Sequence, residues 1–454
     1  MYKRQSKILK QHILGGDNRS NLIRKNIIIS FCIKIWSALV QLLMVPLTLH
    51  CLGVYENGLW LTISSLLIWI DNLDIGLANG LRNKLAVHLA LGEKIEAQKT
   101  VSSTFYMLVL LFIPIIFLIN IWIFCVDTYQ FFNVDSDIVN NLNVILHVSA
   151  ILVCTTFIFK FIGNFYMALQ LPAINNALNT LGQTIALLGV VVLYVTGIHS
   201  LLCVALINTI SPLIVYVVAY PITFYKKYPD LCPHISMVSK SSMKSLATTG
   251  IKFFVLQIAG VVLFMSTNIL ISRFFSPELV TPYQIAYRYF MVLQLIFVII
   301  CAPYWTATTD AYKKNDFEWI KKSNKLLDKM MTSLFIIAFF MVIFARPIYT
   351  IWIGDANAVS LPMTVIVAVY VMILVASMRY SYILNGFGTL RLQLIMTIIA
   401  AVLYIPLATL VCSYKNNLNY LLYVMCAVNL PGLLVNIVQY YKIVNRRAKG
   451  IWLK

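Results

Sequence analysis

The chain reads as an all-α polytopic membrane protein, with twelve transmembrane helices in two six-helix lobes. Three observations predict this class. Of its 454 residues, 60% are hydrophobic and 11% charged, with a mean hydropathy of +0.84; a soluble domain carries about 25% charged residues. The apolar residues fall in repeated blocks of about twenty or more, enough for a helix to cross a hydrocarbon core. The basic residues collect between those blocks, mostly in alternate connections.

A water-soluble globular protein is excluded by that composition. The formal net charge is +19, from 35 Lys+Arg against 16 Asp+Glu. A basic balance of this size usually raises nucleic acid as a partner. Here long apolar blocks separate the cations, so orientation in a membrane is the better reading and no nucleic acid is expected. The nine cysteines form no CxxC and no metal spacing with His, so neither a metal site nor a disulfide framework is expected. Residues 1–26 are polar and basic, and the apolar stretch after them is too long for the core of a cleavable signal.

Taken in order, the first six spans lie near 27–49, 57–79, 101–125, 142–168, 173–196 and 199–223. The second six lie near 246–272, 281–305, 327–348, 360–383, 390–413 and 418–441. The longest connections, 80–100, 224–245 and 306–326, are too short for a folded extramembrane domain. The expected organisation is a basic tail at 1–26, an N-terminal lobe at 27–235, a C-terminal lobe at 236–443 and a second basic tail at 444–454. A faint repeat supports two halves. LeuThrLeuHisCysLeuGly at 47–53 and IleLeuIleSerArgPhePhe at 269–275 each close the first helix of a half, followed by an acid-containing turn with Glu56 or Glu278. Paired repeats around a binding site are a common plan of secondary transporters.

The positive-inside rule sets direction. Most of the 35 basic residues fall on one side if both termini are cytoplasmic. They are Lys3, Arg4, Lys7, Lys10, Arg19, Arg24 and Lys25 in the first tail; Arg82, Lys84, Lys94 and Lys99; Lys226, Lys227, Lys240 and Lys244; Lys313, Lys314, Lys321, Lys322, Lys325 and Lys329; Arg379 and Arg391 flanking the tenth connection; and Lys442, Arg446, Arg447, Lys449 and Lys454 in the last tail. The opposite face receives Arg273, Arg346 and Lys415.

Four cations, Lys34, Lys160, Lys252 and Arg288, and one acid, Asp71, remain well inside spans. A charge at the helix centre costs roughly 2.5–3.5 kcal/mol on insertion scales, so these residues are expected to face a bundle interior or a wet cavity. Helical spacing supports this. Ser30, Lys34, Ser37 and Gln41 form one polar stripe; Asn57, Ser64 and Asp71 form another; Thr281, Gln284 and Arg288 form a third. Lys34, Lys252 and Asp71 share a level roughly 10 Å inside the cytoplasmic boundary, whereas Arg288 lies toward the outer end. The stripes thus suggest a central cavity with a lower cationic tier, an upper one at Arg288, and Asp71 as the partner of a lysine when the cavity is empty. Each residue also has a structural reading. Lys34 and Lys252 are near enough to the interface to snorkel, Thr156 and Asn164 are placed to satisfy Lys160, and His147 reads as a satisfied core residue. A cavity of this sign selects an anion, since Arg and Lys hold phosphate oxygens. An inside-negative potential favours outward movement of that anion by about 2.3 kcal/mol per charge per 100 mV.

At residues 71–86, AspAsnLeuAspIleGlyLeuAlaAsnGlyLeuArgAsnLysLeuAla, the chain resembles the second-helix signature of the bacterial polysaccharide-repeat-unit flippases. These belong to the multidrug/oligosaccharidyl-lipid/polysaccharide exporter superfamily. The turn GlyValTyrGluAsnGlyLeuTrp at 53–60 resembles the joint that precedes that signature. The resemblance implies a V-shaped pair of lobes and alternating access in the bacterial inner membrane. It implies export of an undecaprenyl-diphosphate-linked oligosaccharide for O-antigen, capsule or exopolysaccharide synthesis, and polysaccharide polymerase and chain-length proteins as partners beside the membrane lipids. No cofactor is implied; coupling to H⁺, to Na⁺ or to the membrane potential stays open. Lys34, Lys252 and Arg288 match three of the helices whose cations line the cavity in relatives, and the second helix here carries Asp71 instead. The substrate-binding set is therefore Lys34, Lys252, Arg288, Asp71, Ser37, Gln41 and Gln284. Arg24, Asn79 and Arg82 sit where a headgroup or a gate is met, and Pro46 permits a kink in the first helix.

The chief alternative is a multidrug or organic-cation antiporter of the same fold, which would need an acidic pocket where Lys34 stands. An enzyme such as a polysaccharide polymerase or ligase would carry a large outer loop, and the outer loops here are a handful of residues. No Walker A segment is present for an ATP-driven pump. The loop LeuArgAsnLysLeuAlaValHis does not fit the basic loop of the other common twelve-helix sugar carriers. A non-transporting scaffold leaves the polar stripes unexplained.

Overall fold

Several helices in this protein begin on a side-chain cap, at Ser200, Asp316, Ser360 and Asn417, and several end on a left-handed glycine, at Gly197, Gly354 and Gly388. The computed structural model describes residues 16–71, 77–169, 171–244, 246, 266–389, 391–415 and 417–453. Among these, α-helices run in order: α1 Gly16–Asp71, α2 Leu77–Leu91, α3 Lys94–Cys125, α4 Thr128–Phe132, α5 Leu142–Ala168, α6 Pro172–Thr196, α7 Leu201–Pro221, α8 Val280–Lys313, α9 Phe317–Ile343, α10 Ala345–Ile353, α11 Leu361–Phe387, α12 Arg391–Tyr414 and α13 Leu418–Val444, with further helical residues at 240–244 and 266–274. Nine helical stretches among the described residues are long and apolar enough to cross a membrane. The protein is a multi-pass, all-helical membrane protein.

The helix ends follow ordinary capping chemistry. Ahead of α11, the hydroxyl of Ser360 accepts from the Met363 N–H at 3.4 Å, and Pro362 occupies the first turn, where its missing N–H costs nothing. The same helix closes on Gly388 in the left-handed region (φ 77). The predicted fourth span, 142–168, coincides with α5, and the tenth to twelfth predicted spans match α11, α12 and α13 within a few residues at most.

Two observations refine the expected spans. First, the break between the first two spans falls at Gly53 (φ 70, ψ 178), within the expected joint, while Pro46 keeps helical dihedrals. Proline keeps a helical φ and removes one hydrogen bond, whereas this φ/ψ pair belongs to glycine. A Cβ at Gly53 would meet nothing within 4 Å, so the backbone alone requires glycine there. Second, the connections at 80–100 and 306–326 are mostly helix rather than loop. The helix α9 begins at Phe317, and its buried Ile320, Asn324 and Leu327 keep a helical period beneath exposed lysines. A count of apolar residues passes over such an amphipathic stretch although its period survives.

The chain forms two compact units, which do not follow a single cut. The first comprises Met1–Gly53, Leu67–Phe131 and Asp135–Gln257; the second comprises Val54–Leu66, Phe132–Val134 and Ile258–Lys454. In the first, α5 packs on α2, α3 and α7, and α6 packs on α7. The segment after α7 docks on the start of α3: Ser102 and Ser103 hydroxyls accept from the backbone N–H of His234 (3.0 Å) and Ser239 (3.1 Å). In the second unit, α11 is the central helix and is buried along its length against α8, α9 and α13.

Candidate functional site

In the first unit the polar stripe of α1 lies against α6. The Ser37 hydroxyl donates to Gln183 Oε1 at 2.6 Å, and Trp36 Nε1 donates to Thr184 Oγ1 at 3.1 Å. Lys34 and Gln41, about a turn to either side of Ser37 on the same face, are exposed. Lys34 has no ion-pair partner among the described residues. The helix α6 adds a polar row that the sequence reading missed: Asn175, Asn179, Thr180, Gln183 and Thr184, with Asn179 Oδ1 accepting from the Tyr216 hydroxyl at 2.8 Å. The row carries no charge, so a search for intramembrane charges passes over it; its spacing of three to four residues was the available signal.

The second unit brings together the two turns of the faint repeat. Asn57 Nδ2 donates to Thr281 Oγ1 at 3.2 Å, and the same hydroxyl donates to the Val54 carbonyl at 2.8 Å. Beside it the backbones approach so closely that a Cβ on Gly58 would stand 1.8 Å from the Pro277 carbonyl oxygen. One turn further along, Asn268 donates to Ser65 Oγ (2.6 Å) and to the Leu61 carbonyl (3.2 Å), while its Oδ1 accepts from Gln284 Nε2 at 2.7 Å. Gln284, expected to face cargo, thus commits a donor to the protein. Arg288, one turn beyond it on α8, is half-buried. Asn268, which joins the two polar stripes, was not singled out from the sequence.

A further correction concerns Arg379, expected to flank a connection. It lies within α11 and is 1% exposed. Its Nε donates to Asp328 Oδ1 on α9 at 2.7 Å. The guanidinium plane lies 4.1 Å from the Tyr380 ring centre and 4.6 Å from that of Tyr440. Cation–π contact and a charge-assisted hydrogen bond together offset the cost of burying the guanidinium.

Several expected residues are not brought into a described constellation. Lys252 lies outside the described residues, as do the side chains of Arg24, Asp71 and Asn79. Arg82 is exposed on α2 and Pro46 is half-buried in α1. Lys160 stands 5.9 Å over the Phe157 ring, and His147 hydrogen-bonds Asn120 on α3. No cluster of three or more His, Cys, Asp or Glu that could hold a metal occurs among the described residues. The polar groups described along these helices are cations, amides and hydroxyls, which are able to hold phosphate oxygens and sugar hydroxyls.

This fold is that of the multidrug (MATE) and MOP-superfamily transporters. A multidrug resistance MATE transporter solved in an inward-facing conformation superposes with a TM-score of 0.75 at 15% identity, covering 93% of this chain and 98% of that one. The outward-facing structure of a multidrug MATE transporter gives 0.60 at 14%, covering 94% and 96%. A MOP-superfamily transporter from Pyrococcus furiosus, described as having a binding pocket of reverse polarity, gives 0.59 at 14%, covering 97% and 99%. In sequence, the chain is 23% identical over 382 residues to a Salmonella typhimurium protein named "Putative O-antigen transporter", covering 82% of this chain and 86% of that one. No protein-family model matches the chain.

Proposed function

We propose that the protein is a flippase that moves an undecaprenyl-diphosphate-linked oligosaccharide from the cytoplasmic to the periplasmic leaflet of a bacterial inner membrane by alternating access. The carrying observation is the sign of the charge left for a ligand. Asp328 on α9 is neutralised by Arg379 at 2.7 Å. Lys34, exposed on α1 with no ion-pair partner among the described residues, provides a cation instead, and a pocket for organic cations requires the opposite sign. The name of the Salmonella relative supports the same reading. Lys34 would hold a phosphate oxygen of the cargo, and the amides and hydroxyls of α1 and α6 beside it would meet the sugars.

A second reading, an organic-cation antiporter, is equally compatible with the fold shared with the multidrug transporters. Deletion and complementation separate the two. Under the flippase reading the deletion strain loses surface glycan and accumulates lipid-linked repeat units, and the wild-type gene restores both. Normal glycan in a strain without a redundant flippase, together with changed sensitivity to cationic drugs, would replace the proposal with the alternative.

A further inference from the structure

The cations at one end of the second unit are not balanced by the protein. Lys321, Lys322 and Lys325 stand exposed on the first turns of α9, and Arg446, Arg447 and Lys449 stand exposed just after α13. None of the six has an ion-pair partner among the described residues. The fold sets the two groups side by side. The Arg446 guanidinium lies 4.7 Å over the ring of Phe317, the first residue of α9, and Lys321 is one turn along from Phe317 on the same face. The local acids do not cancel this charge. Asp316 caps α9 by accepting from the Trp319 N–H at 2.9 Å, and Glu318 sits in its first turn, where a carboxylate complements the helix dipole.

The chain after α13 is also folded back rather than released. Arg446 takes a left-handed conformation (φ 56), and the N–H groups of Arg447 and Ala448 both donate to the Lys442 carbonyl, at 2.7 and 3.0 Å. The following turn is pinned by Gln439 Nε2 donating to the Trp452 carbonyl at 3.2 Å and by the Lys442 ammonium 3.8 Å over the Trp452 ring. Ile451 and Leu453 in this turn are 45% and 47% exposed, within a few residues of Arg447 and Lys449, and Leu326, next to Lys325 on α9, is 45% exposed. Exposed apolar side chains on the same two segments as cations without ion-pair partners match a phospholipid at the membrane boundary, with phosphate on the cations and acyl chain on the apolar residues. Six cations also exceed what a single phosphorylated headgroup balances.

We infer that this end of the second unit, built from the start of α9 and the pinned turn after α13, is a binding site for anionic phospholipid. The inference is independent of the flippase reading.

Trp452 supplies the reporter. The full-length protein, purified in neutral detergent, is titrated with brominated phosphatidylglycerol and separately with brominated phosphatidylcholine, and Trp452→Phe isolates the emission of that residue. Phosphatidylglycerol is expected to quench Trp452 at about tenfold lower mole fraction or less, each cation contributing a roughly fivefold preference near a surface. The variant Lys321→Gln/Lys322→Gln/Arg446→Gln/Arg447→Gln should bring the two lipids within about twofold of each other. Should that variant fail to fold, raising NaCl to about 0.5 M on the wild type must collapse the same preference by screening. Equal quenching by the two lipids, or a preference indifferent to both variant and salt, overturns the inference. Displacement of the phosphatidylglycerol by millimolar inorganic pyrophosphate would assign the site to a soluble phosphate and overturn the lipid assignment as well.

Discussion

Arg379 on α11 donates through Nε to the Asp328 carboxylate on α9 at 2.7 Å, and its guanidinium lies against the rings of Tyr380 and Tyr440. One side chain therefore ties three helices of the second unit, and it does so while fully buried. Asp328 is less enclosed, with 42% of its side chain exposed.

Removing the acid should be costly because it strands the cation. Asp328→Asn is expected to lose about 3 kcal/mol, the lower end for a broken buried pair, since the acid is partly solvated. Replacing both partners, Asp328→Leu with Arg379→Met, should recover most of it. Thermal unfolding of the purified protein in detergent reads both. An Asp328→Asn variant as stable as wild type would show that the aromatic rings alone hold Arg379.

The Gly58–Pro277 approach predicts that even one added methyl is not tolerated. A Cβ placed 1.8 Å from the Pro277 carbonyl oxygen must displace backbone. Gly58→Ala should destabilise by about 1–3 kcal/mol, as overpacking does, whereas Gly354→Asn, whose left-handed residue faces open space, should cost less. Comparing the two midpoints in one melting experiment tests the crowding directly.

Asn57 and Thr281 should behave as one unit. The Thr281 hydroxyl both accepts from Asn57 and donates to Val54, so Asn57→Ala and Thr281→Val each break a shared network. A double-mutant cycle should give a coupling of roughly 0.5–3 kcal/mol. Strict additivity would mean that the two side chains contribute separately.

Transport and stability should separate at Lys34. Lys34→Ala is expected to lower surface glycan in complementation and to leave the melting midpoint near wild type, because Lys34 is exposed and unpaired among the described residues. Gln183→Leu should lower the melting midpoint as well, removing the Ser37 hydrogen bond at about 1 kcal/mol. Full glycan with Lys34→Ala would remove Lys34 from the proposed substrate path.

The apolar blocks made most helices legible, because a spanning helix must be apolar over a fixed length whatever its neighbours. Gly53 was legible as a joint, and the stripe of Thr281, Gln284 and Arg288 as one face. Lys252 and the side chain of Asp71 lie outside the described residues and add nothing to either account. What could not be read was each polar group's partner. Ser37 meets Gln183 across 146 positions of sequence, and Asn57 meets Thr281 across 224. Sequence reading placed Arg379 with the orienting cations because a charge near the end of an apolar run looks the same whether it reaches water or a carboxylate.

The sequence by itself determined that this chain is a helical, many-span membrane protein whose excess charge is positive. Both follow from local length, hydropathy and sign. Tertiary structure decided which polar groups are already committed within the protein: the Arg379 charge to Asp328 and the Gln284 amide to Asn268. It also decided that residues 54–66 pack with the second unit although they lie in the first part of the chain. Pairing depends on distance in space, and no local property of an apolar helix specifies which other helix its polar face will meet.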